Sequence, residues 1–326
     1  MTNLKHKSRH FSVYIFGALL FTFSGLIQAE PYPNESVRLT VGFGPGGPSD
    51  IAARFMQRNF ESVTGEKLVI QNKPGAGGAL SWSQINDDPA DGYHLTLLNF
   101  PHINLQPLVL DGNAGYTIES ITPIIFYTAV PQVLAVRKES PIKSFEDFTS
   151  TLKNKPDGGI TVGGVGIGGS NHAMWYLFNK EAAVKTTYIP FSDTATAMMN
   201  LKGGVVDVAW TFSTQGVQDG EDIRLLAVAA EERMPIFPDV PTLKELGHDV
   251  VDSSWWAIGV PNDTPENKRK QIEKTFIEVL SDPMLQKNMS KAGYMLNLVG
   301  YDHADKFMHE LQKKYAPVAP NLKSEI

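Results

Sequence analysis

Two stretches, "RLTVGFGPGGPSDIAARFM" and "ITVGGVGIGGSNHAMWYLF", limit the possible folds of this chain more than any other feature. In each, a short run rich in β-branched residues ends in glycines and then passes into a helical repeat. Gly42, Gly44 and Gly47 satisfy G-x-G-x-x-G, as do Gly164, Gly166 and Gly169. A strand, a glycine turn and a helix in that order form the building unit of an α/β fold with a mainly parallel sheet. The alternation continues on both sides. Val37, Leu39 and Val41 alternate with polar residues before the first turn, and Ala52, Phe55, Met56, Phe60 and Val63 then share one helical face that Gly65 closes. "KLVIQN", "YHLTLLN" after Asp91-Gly92, "PIIFYTA", "KTTYIP", "VVDVAWTF" and "IRLLAVAA" read as further strands. Helices are expected over residues 194–201, from Thr264 as N-cap with Pro265 at N1 and Ile272, Phe276, Val279 and Leu280 inside, and from Asp302 with Phe307, Leu311 and Tyr315 inside.

With 326 residues the chain is long enough for two lobes, each with its own core. Residues 1–29 differ from the rest. Lys5, Lys7 and Arg9 precede an apolar run from Phe11 to Ile27, and Ala29 offers a cleavage point, which is the layout of a secretory signal peptide. A membrane anchor is the competing reading of that run. Cleavage implies export to the periplasm without stable membrane insertion. It leaves 26 basic against 35 acidic residues, so the net charge moves from −6 to −9. Such an acidic surface argues against nucleic acid and anionic membranes as partners. The absence of cysteine excludes disulfides and thiolate metal sites. His303 and His309 fall on different helix faces, so no metal site is expected there, and no cofactor is expected at all.

Neither glycine turn suits a nucleotide. The strand after the first turn ends in Gln71-Asn72 where a ribose-binding acid belongs, and Pro48-Ser49 stand where a Walker loop needs lysine. The mechanism beneath those motifs still applies: free N–H groups at a helix start attract an anion, and a carboxylate fits as well as a phosphate. The competing reading is two tight turns that pack helix against strand and bind nothing. His172 lies beside the second turn as a ligand donor or a helix cap, and Asp50 either caps its own helix or orients a ligand. Trp255 and Trp256 adjoin on a strand, so one faces a cleft and the other a core.

"YPNESVRLTVGFGPGGPSDIAARFMQ", "NKPGAGGALSW", "DGYHLTLLNFP", "SPIKSFEDF", "GGSNHAMWYLF", "LKGGVVDVAW", "FPDVPTLKELG" and "SWWAIGVPNDTP" occur in the order and spacing of one family. From Tyr32 onward the chain resembles the tripartite tricarboxylate transporter receptors, the extracytoplasmic solute-binding proteins of the TctC type. That resemblance implies a two-lobed type II periplasmic binding fold that hinges shut over a small organic acid and presents it to a membrane permease. Crossover strands at "PQVLAVR" and "SWWAIGVP" would divide the mature chain into lobe 1, residues 30–130 and 254–326, and lobe 2, residues 131–253. The first anion loop maps onto Phe43 to Asp50, with donors expected from Gly46, Gly47 and Ser49. The second maps onto Gly164 to His172, with Gly166 and Ser170 at matching positions. Asn99, Phe191, Ser192, Trp210 and Trp255 complete the expected lining. Relatives often carry lysine or glycine where Ser192-Asp193 follow Pro190-Phe191, often serine at positions 164 and 169, and usually a smaller aromatic residue at 210. These departures imply a ligand with fewer carboxylates and more apolar surface than citrate.

The resemblance implies no enzyme activity and no catalytic residue. An exported hydrolase is the alternative, although Ser170 is followed by Asn171-His172 in place of a nucleophile elbow and H-E-x-x-H does not occur. A binding protein that serves sensing instead of uptake is a further alternative.

Overall fold

The computed structural model describes residue 2 and residues 32–324. Apart from residue 2, the expected leader, residues 1–29, lies outside the described residues. In chain order the elements are β1 (Val37–Val41), α1 (Pro48–Thr64), β2 (Leu68–Asn72), α2 (Ala79–Ser83), β3 (His94–Phe100), α3 (His102–Val109), β4 (Thr122–Arg137), α4 (Phe145–Asn154), β5 (Thr161–Val165), α5 (Ser170–Glu181), β6 (Thr187–Phe191), α6 (Thr194–Lys202), β7 (Val208–Phe212), α7 (Ser213–Gln218), β8 (Ile223–Val228), β9 (Ser253–Val260), α8 (Glu266–Leu280), α9 (Pro283–Lys291), β10 (Met295–Val299), α10 (Tyr301–Tyr315) and α11 (Ala319–Lys323).

Strand order is β2-β1-β3-β9-β4-β7-β5-β6, with β8 and β10 also on β4. The expected mainly parallel sheet is corrected to a mixed one. The βα units give parallel pairs, β1 with β2 and β3, and β5 with β6 and β7. Every pairing of β4, and the β3–β9 pair, is antiparallel. The reason is that β4 and β9 carry the chain between the two halves without a crossover helix, so they return in opposite directions.

β4 is also longer than expected, because "PIIFYTA" and "PQVLAVR" form one strand. Its residues 122–131 pair with β9, and 132–137 with β7 and β8. It is buried over nearly its whole length, which explains why its sequence does not alternate. Proline has no N–H to give a ladder, and Pro123 and Pro131 stand beside a register shift and at the strand's change of partners.

Each half has its own core. In the first, Met56 and Phe60 of α1 meet Ile272, Phe276 and Val279 of α8 over the sheet, with Phe60 and Phe276 rings 5.7 Å apart. The second packs Phe145 and Phe148 of α4 and Phe178 of α5 against Trp210 of β7. α1 follows its expected pattern: Pro48 is at N1, Ala52, Met56 and Phe60 are buried, and Gly65 closes it at φ +78°. α8 starts one residue later than expected, with Pro265 as N-cap, and in α10 Phe307 is only partly buried while Leu311 and Tyr315 are inside.

Where the halves join, the Gln132 N–H donates to the Asp252 carbonyl at 3.2 Å, and the Asp252 N–H to Ala229 at 2.9 Å. The Asp252 carboxylate accepts from Lys314 Nζ at 3.1 Å and from the Tyr315 hydroxyl of α10. It is almost fully buried, and burial raises its pKa despite the Lys314 charge and those bonds. A raised folded-state pKa means that the stabilisation is complete below the unfolded value and is lost as pH rises through the folded one. Asp252→Asn keeps an acceptor for Lys314 and Tyr315, so its thermal midpoint should fall less than that of the wild type as pH rises from about 4 to 8. Identical pH profiles would contradict the assignment.

Candidate functional site

The C-terminal ends of β1, β3, β5, β6 and β7 converge on a cavity of about 70 Å³, where α/β sheets place their ligands. One water needs about 10–15 Å³ on this measure, so the space suits a small molecule of a few polar and apolar groups. It is lined by Phe43 to Pro45 and Gly47 to Ser49 at the start of α1, Asn99 and His102 after β3, and Val165 at the end of β5. Asp193 to Ala195 at the start of α6, Phe212, and Ser254 and Trp256 of β9 complete it.

The first glycine turn is shaped by Asp50, in the first turn of α1. Its carboxylate folds back and accepts from the Gly46 N–H at 2.9 Å, from Arg54 Nε at 2.8 Å and from Asn72 Nδ2 at 3.0 Å. Asn72 also donates to the Phe43 carbonyl at 3.0 Å. Burial acts to raise the Asp50 pKa, but the bonds from Arg54, Gly46 and Asn72 together hold it below the usual carboxylate range. Gly46 sits at φ +78°, where a side chain is strained. Gly47 caps α1 in an extended conformation, φ −75° and ψ 166°, and its N–H points to the Gly44 carbonyl at 3.4 Å.

The Gly46 N–H is thus taken by the Asp50 carboxylate and the Gly47 N–H faces the Gly44 carbonyl, so neither expected donor is free, while the Asp50 side chain braces the loop. The available donors stand further in. The first N–H groups of α1 after Pro48, those of Ser49 and Asp50, have no intrahelical partner. Ser49 Oγ accepts from Asn99 Nδ2 at 2.9 Å, which leaves the serine proton free to donate.

The second glycine turn stands beside this cavity and reaches it through Val165. Gly166 lies at φ +64° and its N–H bonds the Phe191 carbonyl at 2.9 Å. At Gly164 a side chain would collide with the Tyr188 hydroxyl, 2.6 Å from a built Cβ. That hydroxyl bonds the Val165 and Gly166 carbonyls at 3.3 and 3.2 Å, which explains glycine at this position. His172 stacks on Tyr188, with centroids 4.5 Å apart, and its Nδ1 accepts from the Gly168 N–H at 3.3 Å. Burial lowers its pKa to about 4, so the ring is neutral. Ser170 is fully buried and its Oγ has no protein partner among the described residues.

Phe43, Gly47, Ser49 and Asn99 therefore line the cavity, whereas Gly164, Gly166, Ser170 and His172 form its flank. Phe191 packs on the Met198 and Leu201 cluster, and Ser192 is exposed and bonds Asp193 at 2.8 Å. Trp210 lies in the second core against Phe178, and Trp255 against Phe307 at 4.8 Å. In their places Phe212 and Trp256 wall the cavity. Strand alternation allowed either tryptophan, and the pairing of Asn99 with Trp256 across β3 and β9 selects the second. Ser254 holds the Trp256 ring, accepting from its Nε1 at 3.0 Å and donating to the Phe100 carbonyl at 3.1 Å. His102 is buried, its pKa pushed down to about 4, and its ring lies edge-on to Phe43. Its position just past a strand end was the available signal; Ser254 had none.

Residues 52–322 match the family described as tripartite tricarboxylate transporter family receptor. This chain belongs to that family. Among curated relatives, this receptor is 30% identical over 269 residues to a UPF0065 protein in the TAR-I ttuE-ttuC' intergenic region of Agrobacterium vitis, covering 81% of this chain and 77% of the relative. It is 29% identical to Protein BugT of Bordetella pertussis, covering 73% and 74%. Among solved structures, periplasmic binding protein BugD is 26% identical with a TM-score of 0.81, covering 89% of this chain and 98% of the other. An R. palustris protein with adipate is 25% identical with a TM-score of 0.83, covering 89% and 98%. MatC from Rhodopseudomonas palustris with bound malate is 25% identical with a TM-score of 0.78, covering 88% and 100%. The receptor thus has the two-lobed α/β fold of periplasmic binding proteins, and its structural neighbours are solute-binding proteins. Among its described residues no helix is long and apolar enough to cross a membrane.

Asp50→Asn should cost this receptor about 1–3 kcal/mol at neutral pH, because a charged acceptor for three donors is replaced by a neutral one. The folded-state pKa lies below the unfolded one, so the contribution is complete above about pH 4 and disappears as pH falls through the folded value. Urea denaturation at pH 7 and at pH 2–3 measures the gap; a gap of constant size would overturn the bracing role.

Proposed function

We propose that this receptor is a periplasmic solute-binding protein, exported by residues 1–29, that captures a small organic acid between its lobes and delivers it to a tripartite tricarboxylate permease. Lobe 1 comprises residues 30–130 and 254–326, and lobe 2 residues 131–253. The observation that carries the reading is the cavity lined from both sides of the β4 and β9 crossing, by the start of α1 and by the start of α6. A ligand carboxylate accepts from the Ser49 hydroxyl and the first-turn N–H groups of α1. Phe43, Phe212 and Trp256 enclose its apolar body. Closing the lobes removes water from these donors and strengthens each bond. The adipate and malate found with the two R. palustris proteins named above are both small carboxylic acids, which supports the ligand class.

A thermal-shift screen of the exported protein against mono-, di- and tricarboxylic acids and their neutral amides tests this reading. An acid at 100 times its Kd should stabilise the fold by about 2.7 kcal/mol, a shift of a few degrees. Its amide should give none. Shifts with amides as large as with the acids would sink carboxylate capture. Asn99→Leu removes the partner that orients Ser49 and should weaken the best acid about tenfold or more, the loss expected for one hydrogen bond to a charged group.

A further inference from the structure

We propose that the acid held here also carries a protonated amine, so that the ligand is an amino-acid-like zwitterion and not a dianion. The inference rests on carboxylate capture in this cavity and narrows its class. Two independent observations carry it.

The first is charge. Of the residues lining the cavity, Asp193 is the one with an ionised side chain, and neither lysine nor arginine lines it. His102 is neutral, and the Asp50 charge behind the loop is matched by Arg54. Asp193 caps α6: Oδ1 accepts from the Thr196 N–H at 2.8 Å, and Oδ2 from the hydroxyls of Ser192 at 2.8 Å and Thr196 at 3.1 Å. Those bonds keep it ionised and offset the positive end of α6 with its own negative charge. A second ligand carboxylate entering the cavity would face Asp193 with no cation in the lining to screen it, and like charges repel more strongly in a cavity than in water. An ammonium there is attracted instead.

The second is an acceptor without a donor. Asn99 is only 2% exposed, and its Nδ2 is spent on Ser49 Oγ. Its Oδ1 has no partner among the described residues. A carboxylate cannot donate to it, whereas a ligand N–H or O–H that reaches it can. A hydroxyl would satisfy Asn99 but not the Asp193 charge; an ammonium suits both.

Isothermal titration of the exported full chain tests the proposal with matched sets: alanine, leucine, phenylalanine, aspartate and glutamate, each with its 2-hydroxy and des-amino counterparts and its amide. The best amino acid should bind at least tenfold tighter than its hydroxy and des-amino counterparts. Asp193→Asn keeps a good cap for α6 and should erase that advantage while des-amino acids bind as well as before or better. Circular dichroism checks that the variant folds. A des-amino acid or dicarboxylate that binds as tightly as the best amino acid, or an advantage unchanged in Asp193→Asn, overturns the zwitterion inference and leaves carboxylate capture standing. Amides that bind as well as acids, or silence from every acid, overturn carboxylate capture and the inference with it.

Discussion

Two antiparallel strands, β4 and β9, hold the molecule together, and the geometry of the site depends on them. They pair with each other across the first half, and β4 then continues into the second half's sheet without a loop. The halves are therefore joined where β4 changes partners, around Pro131 and Asp252. The cavity draws on Phe43 to Pro45, Gly47 to Ser49, Asn99, His102, Ser254 and Trp256 from one side of that point and on Val165, Asp193 to Ala195 and Phe212 from the other. A ligand that touches both sets stabilises one relative placement of the halves by as much as its contacts differ between placements.

Within that frame the proposed site offers dipoles in place of cations. With no lysine or arginine lining the cavity, an anion bound there would be held by N–H groups, hydroxyls and a helix start. Such donors need exact placement by the surrounding fold, since they cannot reorient as a lysine can. Asp50, Asn72 and Arg54 provide it on one wall, and Asn171, Tyr188 and Gln132 on the other. Asn171 Oδ1 accepts from the Val165 N–H at 3.0 Å, and its amide donates to Gln132 at 2.7 Å.

Local periodicity made the βα units legible: α1 with its proline start and glycine stop, the strands either side of each glycine turn, and the buried stripe of α8. The helix α4 also had its signal in Ser144-x-x-Asp147, a capping box formed in the structure. β10 had none, for its residues are largely exposed and do not alternate. Sheet direction was misread because it is set by which strands cross between halves, a property of the whole chain. Site residues divided in the same way. Phe43, Gly47, Ser49 and Asn99 lie close to turns that the sequence marks, whereas Phe212, Ser254 and Trp256 reach the cavity only through long-range pairing. Trp210 and Phe212 lie on one strand two residues apart, and position along it decides which is core and which is wall.

β9 lies between β3 and β4 in the sheet, although about 115 residues of chain separate it from the end of β4, so the sheet depends on distant pairing. As the polypeptide lengthens from its N-terminus, β3 and the first part of β4 have no neighbour to join them until residue 253 has followed. The segment from β5 to β8 needs only the end of β4 and can assemble earlier. Order of completion is thus built into the topology: the half that contains the N-terminus is the last to finish. A chain arrested short of β9 would expose two apolar strand edges, the form of surface that aggregates or attracts a chaperone.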